Sequence, residues 1–216
     1  MKIVQFDLEH PILCNRYMLL DEASGEAAII DPAWYEGVLE NEIKNLDKNV
    51  KIKYILLTHG HFDHIMGVYA LKEATGALVA IHEADEDCLY DSSKSYSKDA
   101  DMPAEQIPVH ADTLLKDGDE LRLGETVIRV MHTPGHTLGS VCYIVEEEKT
   151  IFSGDTLFCM TVGRTDLYGG NAETLGESLR KLIALDGDYR VLAGHSRETN
   201  LERERTRNRF IRRMDK

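Results

Sequence analysis

The sequence predicts an α/β protein in which two β-sheets pack face to face and helices cover their outer surfaces. Short runs rich in Ile, Val, Leu and Tyr recur along the whole chain, and Gly, Pro and Asp separate them, which is typical of strands. Amphipathic stretches lie between these runs in both halves, so a barrel or a helical bundle fits less well. No Pro- or Gly-rich linker divides the 216 residues. We therefore expect one domain over residues 1–216, built from two similar αβ halves.

The individual elements can be placed in chain order from these patterns. Helices are predicted around residues 35–46, 65–74 and 172–185, where apolar residues recur at helical spacing. A turn at 117–119 is predicted to join two short strands. The polar connection 91–112 has the composition of a functional rim or lid. The main strand segments read KIVQF, RYMLL, EAAIIDP, KYILLTH, ALVAIHE, ETVIRVMHT, SVCYIVE, TIFSGDT and YRVLAGH.

The composition argues against several classes of function. Hydrophobic residues make up 43% of the chain and charged residues 29%, an ordinary globular balance. The formal net charge of −13 argues against a nucleic acid partner, because phosphates need a basic surface. No apolar run approaches the roughly 20 residues of a membrane span, and the N-terminus does not read as a signal peptide. We therefore expect a soluble, cytoplasmic protein that acts on a small molecule, without nucleic acid or membrane partners.

The C-terminal segment LERERTRNRFIRRMDK is the main basic exception. Its Arg and Glu residues alternate at a spacing that allows i, i+4 pairs on a helix. We interpret it as a surface helix that closes the domain, and the alternative is a patch for RNA or an anionic ligand. Its arginines are Arg203, Arg205, Arg207, Arg209, Arg212 and Arg213.

The four cysteines form no CxxC pair and no dense disulfide framework. Cys14 and Cys142 lie in apolar, strand-like surroundings, so buried free thiols are expected there. Cys88 is equally isolated from the other cysteines. Cys159 directly follows the segment SGDTLF and is expected to be inert.

The stretch ILLTHGHFDHIMG, residues 55–67, crowds three imidazoles and a carboxylate after a short apolar run. Imidazole and carboxylate groups are suitable ligands for zinc, manganese and iron. His59 and His61 lie two apart on an extended segment, so their side chains point the same way and can share one ion. Asp63 and His64 follow a change of chain direction and can face a second ion. We predict a metal site here rather than a solvated polar loop.

Three further strand ends carry side chains that can bind metals. HTPGHTLGS contains His136, IFSGDTLF ends a strand on Asp155, and YRVLAGHS ends another on His195. Each combines an apolar strand, a small residue and a side chain that can bind a metal. Together with the segment 55–67 they make four such strand ends, which are hard to reach by chance in one chain. Four other histidines lack a partner at ligand spacing and are not predicted ligands: His10, His82, His110 and His132.

The motif set THGHFDH, TPGHT, SGDTLF, GRTD and AGHS resembles that of the metallo-β-lactamase-fold hydrolases, and within them small glyoxalase II-like proteins. The resemblance covers nearly the whole chain and implies a four-layer αββα sandwich with two divalent metal ions at one edge, most commonly Zn²⁺ with Fe or Mn as alternatives. By motif match it assigns one metal to His59, His61 and His136, and the other to Asp63, His64 and His195. Asp155 bridges the two ions in this assignment.

Such a site implies hydrolysis by a metal-bridging hydroxide, because two cations lower the pKa of a shared water and polarise a carbonyl. Asp63 and Asp155 are the predicted catalytic residues, and the resemblance implies that Asp63 also orients the nucleophile. The substrate class implied is a thioester or ester, as in glyoxalase II. Glutathione itself is less expected, since the chain ends 21 residues after His195 and the helical region that helps to hold glutathione in full-length glyoxalase II is missing.

Two other functions remain open at this point. Persulfide dioxygenases share THGHFDH, TPGHT and GRTD, and in them the residues matching His59, His136 and Asp155 hold a single iron. A non-catalytic metal-binding protein is the third possibility, although no ligand position is missing. Arg164 is predicted to hold a substrate carboxylate, or alternatively to pair with Asp166 and fix the loop.

Overall fold

The computed structural model describes residues 1–6, 13–100 and 104–214. The first half of the chain supplies one sheet, with strands β1 (Lys2–Gln5), β2 (Tyr17–Leu20), β3 (Glu26–Ile30), β4 (Lys51–Leu56), β5 (Leu78–His82) and β6 (Thr113–Leu115). The strands lie in this same order across the sheet. β1, β2 and β3 pair antiparallel, whereas β3 to β6 pair in parallel. The carboxyl ends of β3, β4 and β5 therefore meet at one edge.

The second half supplies the other strands: β7 (Glu120–Leu123), β8 (Thr126–His132), β9 (Val141–Val145), β10 (Thr150–Gly154), β11 (Leu157–Phe158), β12 (Thr161–Val162), β13 (Arg190–Ala193) and β14 (Thr199–Asn200). Six of them form a sheet in the order β14-β13-β10-β9-β8-β7. β10 and β13 are parallel, so their carboxyl ends also share an edge. β11 and β12 form a separate two-stranded hairpin beside it.

The helices are α1 (Val38–Lys44), α2 (Phe62–Ile65), α3 (Val68–Thr75), α4 (Ala172–Ile183), α5 (Leu201–Arg207) and α6 (Ile211–Met214), with a 3-10 helix over Glu83–Leu89. Helix α4 begins where the Asn171 side chain accepts a hydrogen bond from the Thr174 backbone N–H at 2.9 Å, a typical N-cap. Leu175, Leu179 and Leu182 then recur at helical spacing and are buried. Within the described part of the chain, no helix combines the length and the apolar character needed to cross a bilayer.

Strand β9 illustrates how this sequence specifies a central strand. Its residues VCYIV are all buried, because both faces of the sheet are covered. Val141 and Tyr143 belong to the core between the two sheets. Cys142 and Ile144 belong to the core on the opposite face, against the helices of the second half.

Three hydrophobic cores define four layers. The central core joins the two sheets and contains Leu56 of the first sheet and Phe152 of the second. A second core packs α1 and α3 on the outer face of the first sheet, through residues such as Leu39. A third packs α4, α5 and α6 on the outer face of the second sheet, through residues such as Leu179. A fully buried leucine of this kind contributes about 1.5–3 kcal/mol. The predicted α/β fold, an αββα sandwich, is confirmed.

The turn predicted at 117–119 joins two short strands as expected, β6 and β7, and because these strands lie in different sheets it is the crossover between the layers. Elsewhere the structure differs from the sequence-based predictions in local detail. The predicted helix at 65–74 is divided into α2 and α3 at residues 66–67. The basic C-terminal segment forms two short helices, and Arg205 fastens α5 to the preceding connection by donating to the carbonyls of Ile183 and Gly187, each at 2.8 Å.

Candidate metal centre

The first sheet delivers four of the predicted metal-binding side chains. Beyond the end of β4, the chain runs through His59 to His61, which is extended (φ −72°, ψ 148°) and immediately precedes α2. Asp63 and His64 are the second and third residues of the four-residue helix α2, so the change of direction predicted from the sequence is a helix start. His59, His61 and His64 are buried, at 1%, 5% and 0% exposure.

The second sheet delivers the other three. His136 follows β8, Asp155 directly follows β10, and His195 follows β13 after Gly194. A Cβ at Gly194 would lie 2.4 Å from Asp155 Oδ1 and 2.6 Å from His64 Cε1. Only glycine therefore allows β13 to pass this close to the cluster.

All seven side chains meet where the edges of the two sheets face each other. His61 Nδ1 lies 2.9 Å from His136 Nε2, and His195 Nε2 lies 3.1 Å from Asp63 Oδ2. Asp155 lies between the two groups. Its Oδ2 is 3.5 Å from His136 Nε2 and 3.6 Å from His195 Nε2, and its Oδ1 is 3.5 Å from His64 Nε2.

Two sets of donors in this cluster have the spacing of metal ligands. One is His59, His61 and His136, and the other is His59, His64 and Asp155, with the donor atoms of each set within 4.8 Å of one another. A third set joins Cys14 to His64 and His195 at the same limit. Cys14 Sγ lies 3.5 Å from His64 Nδ1, so the sequence prediction of a buried thiol holds, but its closeness to the cluster was not foreseen.

The chemistry of the donors fits a bound cation. His59 Nε2, His61 Nε2 and Asp155 Oδ1 are buried and have no hydrogen-bond partner, and such atoms are costly to bury unless something coordinates them. Burial lowers the pKa of His59 far below its usual value, and burial together with His136 lowers the pKa of His61 to about 3. Both imidazoles are therefore neutral at physiological pH, the form that binds metals.

Asp31 is a supporting residue that sequence reasoning missed. It directly follows β3, and its carboxylate accepts hydrogen bonds from Thr58 N at 2.8 Å and Thr58 Oγ1 at 2.7 Å. Its Oδ2 also lies 2.9 Å from His64 Nδ1, which directs His64 Nε2 towards Asp155. A carboxylate behind a histidine fixes its tautomer and orientation. The pattern of an apolar strand followed by an acid, used for Asp155, would have found it.

Asp85, in the 3-10 helix, is the second missed residue. It is 2% exposed and connects the two segments that carry histidines. Its Oδ2 accepts hydrogen bonds from Gly60 N at 3.1 Å and from Thr137 Oγ1 at 2.6 Å, and its Oδ1 accepts one from Gly139 N at 2.6 Å. Gly60 lies between His59 and His61, and Thr137 follows His136. Asp85 therefore braces the two loops against each other.

A cavity of about 420 Å³ opens beside the cluster. Its polar wall is formed by five of the seven side chains described above. The rest of its lining is Phe62, Tyr96, Phe158, Thr161, Val162, Arg164 and Leu167.

Arg164 lies at this cavity but is already engaged. Its Nε and one Nη donate to the two carboxylate oxygens of Asp166 at 2.8 and 2.7 Å. Hydrogen bonds from Arg164 lower the pKa of Asp166 to about 2, so the pair is ionised. The backbone carbonyl of Arg164 lies 2.8 Å from His136 Nδ1 and orients that ring. Of the two interpretations of Arg164, the structure contains the loop-fixing pair.

Three histidines that were not predicted as ligands, His82, His110 and His132, belong to none of the donor sets. His82 and His132 stack on each other with ring centroids 3.9 Å apart, and His110 is exposed beside Tyr90. His10 lies outside the described residues. All four cysteines are free thiols, and Cys159 is partly exposed, with Arg197 Nε donating to its Sγ at 3.4 Å.

This fold and donor cluster define a class of protein: αββα sandwiches with a metal-binding edge between the sheets. A family model described as the metallo-beta-lactamase superfamily matches residues 13–195, and the chain belongs to this superfamily. It is 36% identical over 205 residues to the probable metallo-hydrolase YqgX of Bacillus subtilis, covering 93% of each chain. It is 34% identical over 186 residues to the hydroxyacylglutathione hydrolase GloC of Haemophilus influenzae, covering 86% of this chain and 87% of the relative.

Solved structures show the same relationship. The B3 metallo-beta-lactamase BLEG-1 superposes with a TM-score of 0.86 at 35% identity, over 97% of this chain and 99% of the other. TTHA1623, solved in a di-iron-bound form, gives 0.81 at 31% identity, over 96% and 100%. ETHE1 from Myxococcus xanthus gives 0.79 at 28% identity, over 100% and 90%. The superfamily binds divalent metals, and the His and Asp groups of this chain agree with that property.

Proposed function

We propose that the protein is a metal-dependent hydrolase that cleaves a thioester or ester with two divalent metal ions, most commonly Zn²⁺. The observation that carries this proposal is the cluster of seven imidazole and carboxylate side chains beside an open cavity, with three buried donor atoms that lack a hydrogen-bond partner. Similarity to a hydroxyacylglutathione hydrolase and to a probable metallo-hydrolase supports the reaction class.

In this proposal the ligands divide as the motifs imply. His59, His61 and His136 hold one ion, and Asp63, His64 and His195 hold the other. Asp155 lies between the two sets and is the shared ligand. The short distances from Asp155 to His136, His64 and His195 support that role.

The ions, when bound, supply an acidified water and a Lewis acid for the substrate carbonyl. The residues of the chain do the rest. Asp63, close to His195, would accept a hydrogen bond from the attacking water and orient it. Burial raises the pKa of Asp63, but the nearby His64 and His195 outweigh burial and leave that pKa below its usual value, so the carboxylate is ionised. Arg164 and Asp31 hold His136 and His64 in place through their ring nitrogens.

The proposal is tested by replacing His59 or Asp155 with Ala. We expect hydrolysis of a panel of thioesters and esters to be abolished and the metal content to fall below two ions per chain, while circular dichroism is unchanged. His110→Ala, at an exposed histidine outside the cluster, is the matched control. Full activity in the His59 or Asp155 variant would overturn the assignment.

The second candidate function is a persulfide dioxygenase with one iron held by His59, His136 and Asp155. The similarity to ETHE1 favours keeping it, and this ligand set leaves coordination positions open. Metal analysis of the purified protein separates the two functions. A single tightly held iron, together with oxygen uptake on a persulfide and no thioester hydrolysis, would select the dioxygenase.

A further inference from the structure

The lining of the cavity beside the metal-binding edge is of two chemical kinds. Five of the seven predicted metal-binding side chains line it, and most of its other lining residues are aromatic or aliphatic and are called the apolar wall: Phe62, Tyr96, Phe158, Val162 and Leu167. Pockets lined in this way take up apolar groups and use a few polar atoms for orientation. The part of a substrate that extends away from the reacting carbonyl meets this apolar wall.

Tyr96 is held on this wall in a strained backbone conformation. Its φ is +64°, in the left-handed region that bulky side chains rarely adopt. Gln106 Oε1 accepts hydrogen bonds from Ser95 Oγ at 2.5 Å and Ser97 Oγ at 2.6 Å, on both sides of Tyr96. Gln106 Nε2 in turn donates to the Cys88 carbonyl at 2.7 Å.

The hydrogen bonds of Gln106 therefore hold the segment around Tyr96 in this strained conformation. The ring of Tyr96 is placed 5.6 Å from that of His61, and the Ser95 carbonyl accepts a hydrogen bond from Phe62 N at 2.9 Å. Strained backbone conformations that the surrounding structure holds in place are common at residues that contact ligands.

Positive charge is scarce at the same cavity. Among the described residues that line it, Arg164 is the only Lys or Arg, and Asp166 neutralises it through two hydrogen bonds. The internal segments outside the described residues, 7–12 and 101–103, contain neither Lys nor Arg. The net charge of −13 adds long-range repulsion of anions. Glutathione carries two carboxylates and one ammonium group, and among the described lining residues its carboxylates meet no unpaired Lys or Arg side chain.

We propose that the substrate of this site is a thioester or ester whose recognised group is uncharged and apolar, aromatic or branched aliphatic, and that Tyr96 determines this specificity. The proposal rests on the hydrolase function proposed above and names its substrate class. The recognised group packs against the aromatic wall while the reacting carbonyl faces the metal-binding edge.

The test uses the metal-containing protein as purified and a matrix of thioesters. Acetyl and phenylacetyl groups are each attached to glutathione and to the neutral thiol N-acetylcysteamine, and kcat/KM is measured for the four compounds. We expect phenylacetyl to exceed acetyl, and the neutral thiol to exceed glutathione, each by about tenfold or more. Equal values, or a preference for the glutathione compounds, would overturn the proposal.

Tyr96→Ala tests the residue itself. We expect it to reduce kcat/KM for the phenylacetyl compound about tenfold more than for the acetyl compound, which removes the discrimination between them. The matched control is Tyr90→Ala, at an exposed tyrosine that does not line the cavity. Equal losses on both acyl groups in the Tyr96 variant would show a structural role and refute its part in specificity.

A binding measurement distinguishes failure of the proposed apolar substrate class from failure of the proposed hydrolase function. If none of the four compounds is hydrolysed, the proposed hydrolase function fails, and calorimetry with phenylacetate and S-methylglutathione then tests the cavity alone. Tighter binding of phenylacetate, lost in the Tyr96 variant, supports the apolar site. Tighter binding of S-methylglutathione refutes it.

Discussion

Replacing Asp85 with Asn removes one acceptor from a buried carboxylate that accepts three hydrogen bonds. If the amide oxygen of Asn faces Gly139 N, its NH2 group faces Gly60 N, and in the opposite orientation the NH2 group faces Gly139 N. In both cases one buried backbone N–H loses its acceptor, which costs about 1–3 kcal/mol. The remaining bonds also weaken, because they no longer involve a charged acceptor.

An opposing contribution limits the size of this effect. Burial raises the pKa of Asp85, although hydrogen bonds from Thr137 and Gly139 partly counter it. The charge is therefore disfavoured by desolvation, and Asn avoids that penalty. We expect a net loss of about 1–3 kcal/mol in the unfolding free energy of the metal-free protein. Because Asp85 braces the loops of His59 and His136, metal affinity should also fall.

The assay is urea unfolding in the presence of a chelator, paired with metal analysis after dialysis at a fixed free-metal concentration. Asp87→Asn is the matched control, since Asp87 lies on the same 3-10 helix but forms a partly exposed ion pair with Lys94. Thr137→Val removes a single donor and should give an intermediate loss. If Asp85→Asn matches Asp87→Asn in both unfolding midpoint and metal content, Asp85 does not brace the two loops.

Three further predictions concern other buried contacts. Burial lowers the pKa of His82 to about 4, below the unfolded-state pKa near 6.5. The unfolded chain therefore binds the proton first, and the unfolding free energy decreases as the pH falls from about 6.5 towards 4. The substitution His82→Gln should therefore reduce the stability difference between pH 7 and pH 5 by up to about 2 kcal/mol in urea unfolding, and an unchanged difference would contradict this. Glu204 is fully buried and accepts three hydrogen bonds, one of them from hairpin β11–β12. Glu204→Gln should speed amide hydrogen exchange in that hairpin, and unaltered exchange there would argue against the link. A Cβ at Gly163 would lie 1.9 Å from the Asp155 carbonyl oxygen, so Gly163→Ala should lower metal content. Gly176→Ala, in helix α4 where a Cβ would meet nothing closer than 3.8 Å, should not. Equal metal content in the two variants would refute the steric role.

The layered fold was predictable because its signals are local. Continuous apolar runs such as VCYIV predict strands that are covered on both faces, and the spacing of Leu175, Leu179 and Leu182 predicts α4. The two sheets follow from the order of these elements. The turn at 117–119 was also predictable from its residues, but nothing local states that β7, which follows it, joins the other sheet.

The donor cluster was predictable because its members repeat one pattern, a polar ligand after an apolar strand. Asp31 follows the same pattern and was overlooked. Asp85 had no such signal, since it acts across 25 and 54 positions of sequence on Gly60 and Gly139. The alternatives for Arg164 could not be separated from sequence, because an arginine near an active site and an arginine paired with Asp166 have the same local pattern.

The division of the donors between two sheets affects how the protein is made. His61 and His136 are 75 positions apart, and Asp63 and His195 are 132 positions apart. A nascent chain therefore exposes the histidine-rich segment long before its counterparts leave the ribosome. Contacts between residues this distant in sequence carry a loop-closure cost that is met only as the chain folds, so the full donor cluster is assembled only when both halves have docked. A truncated or half-folded chain holds only part of the cluster, and divalent metal binding, a property of this superfamily, then depends on completed folding.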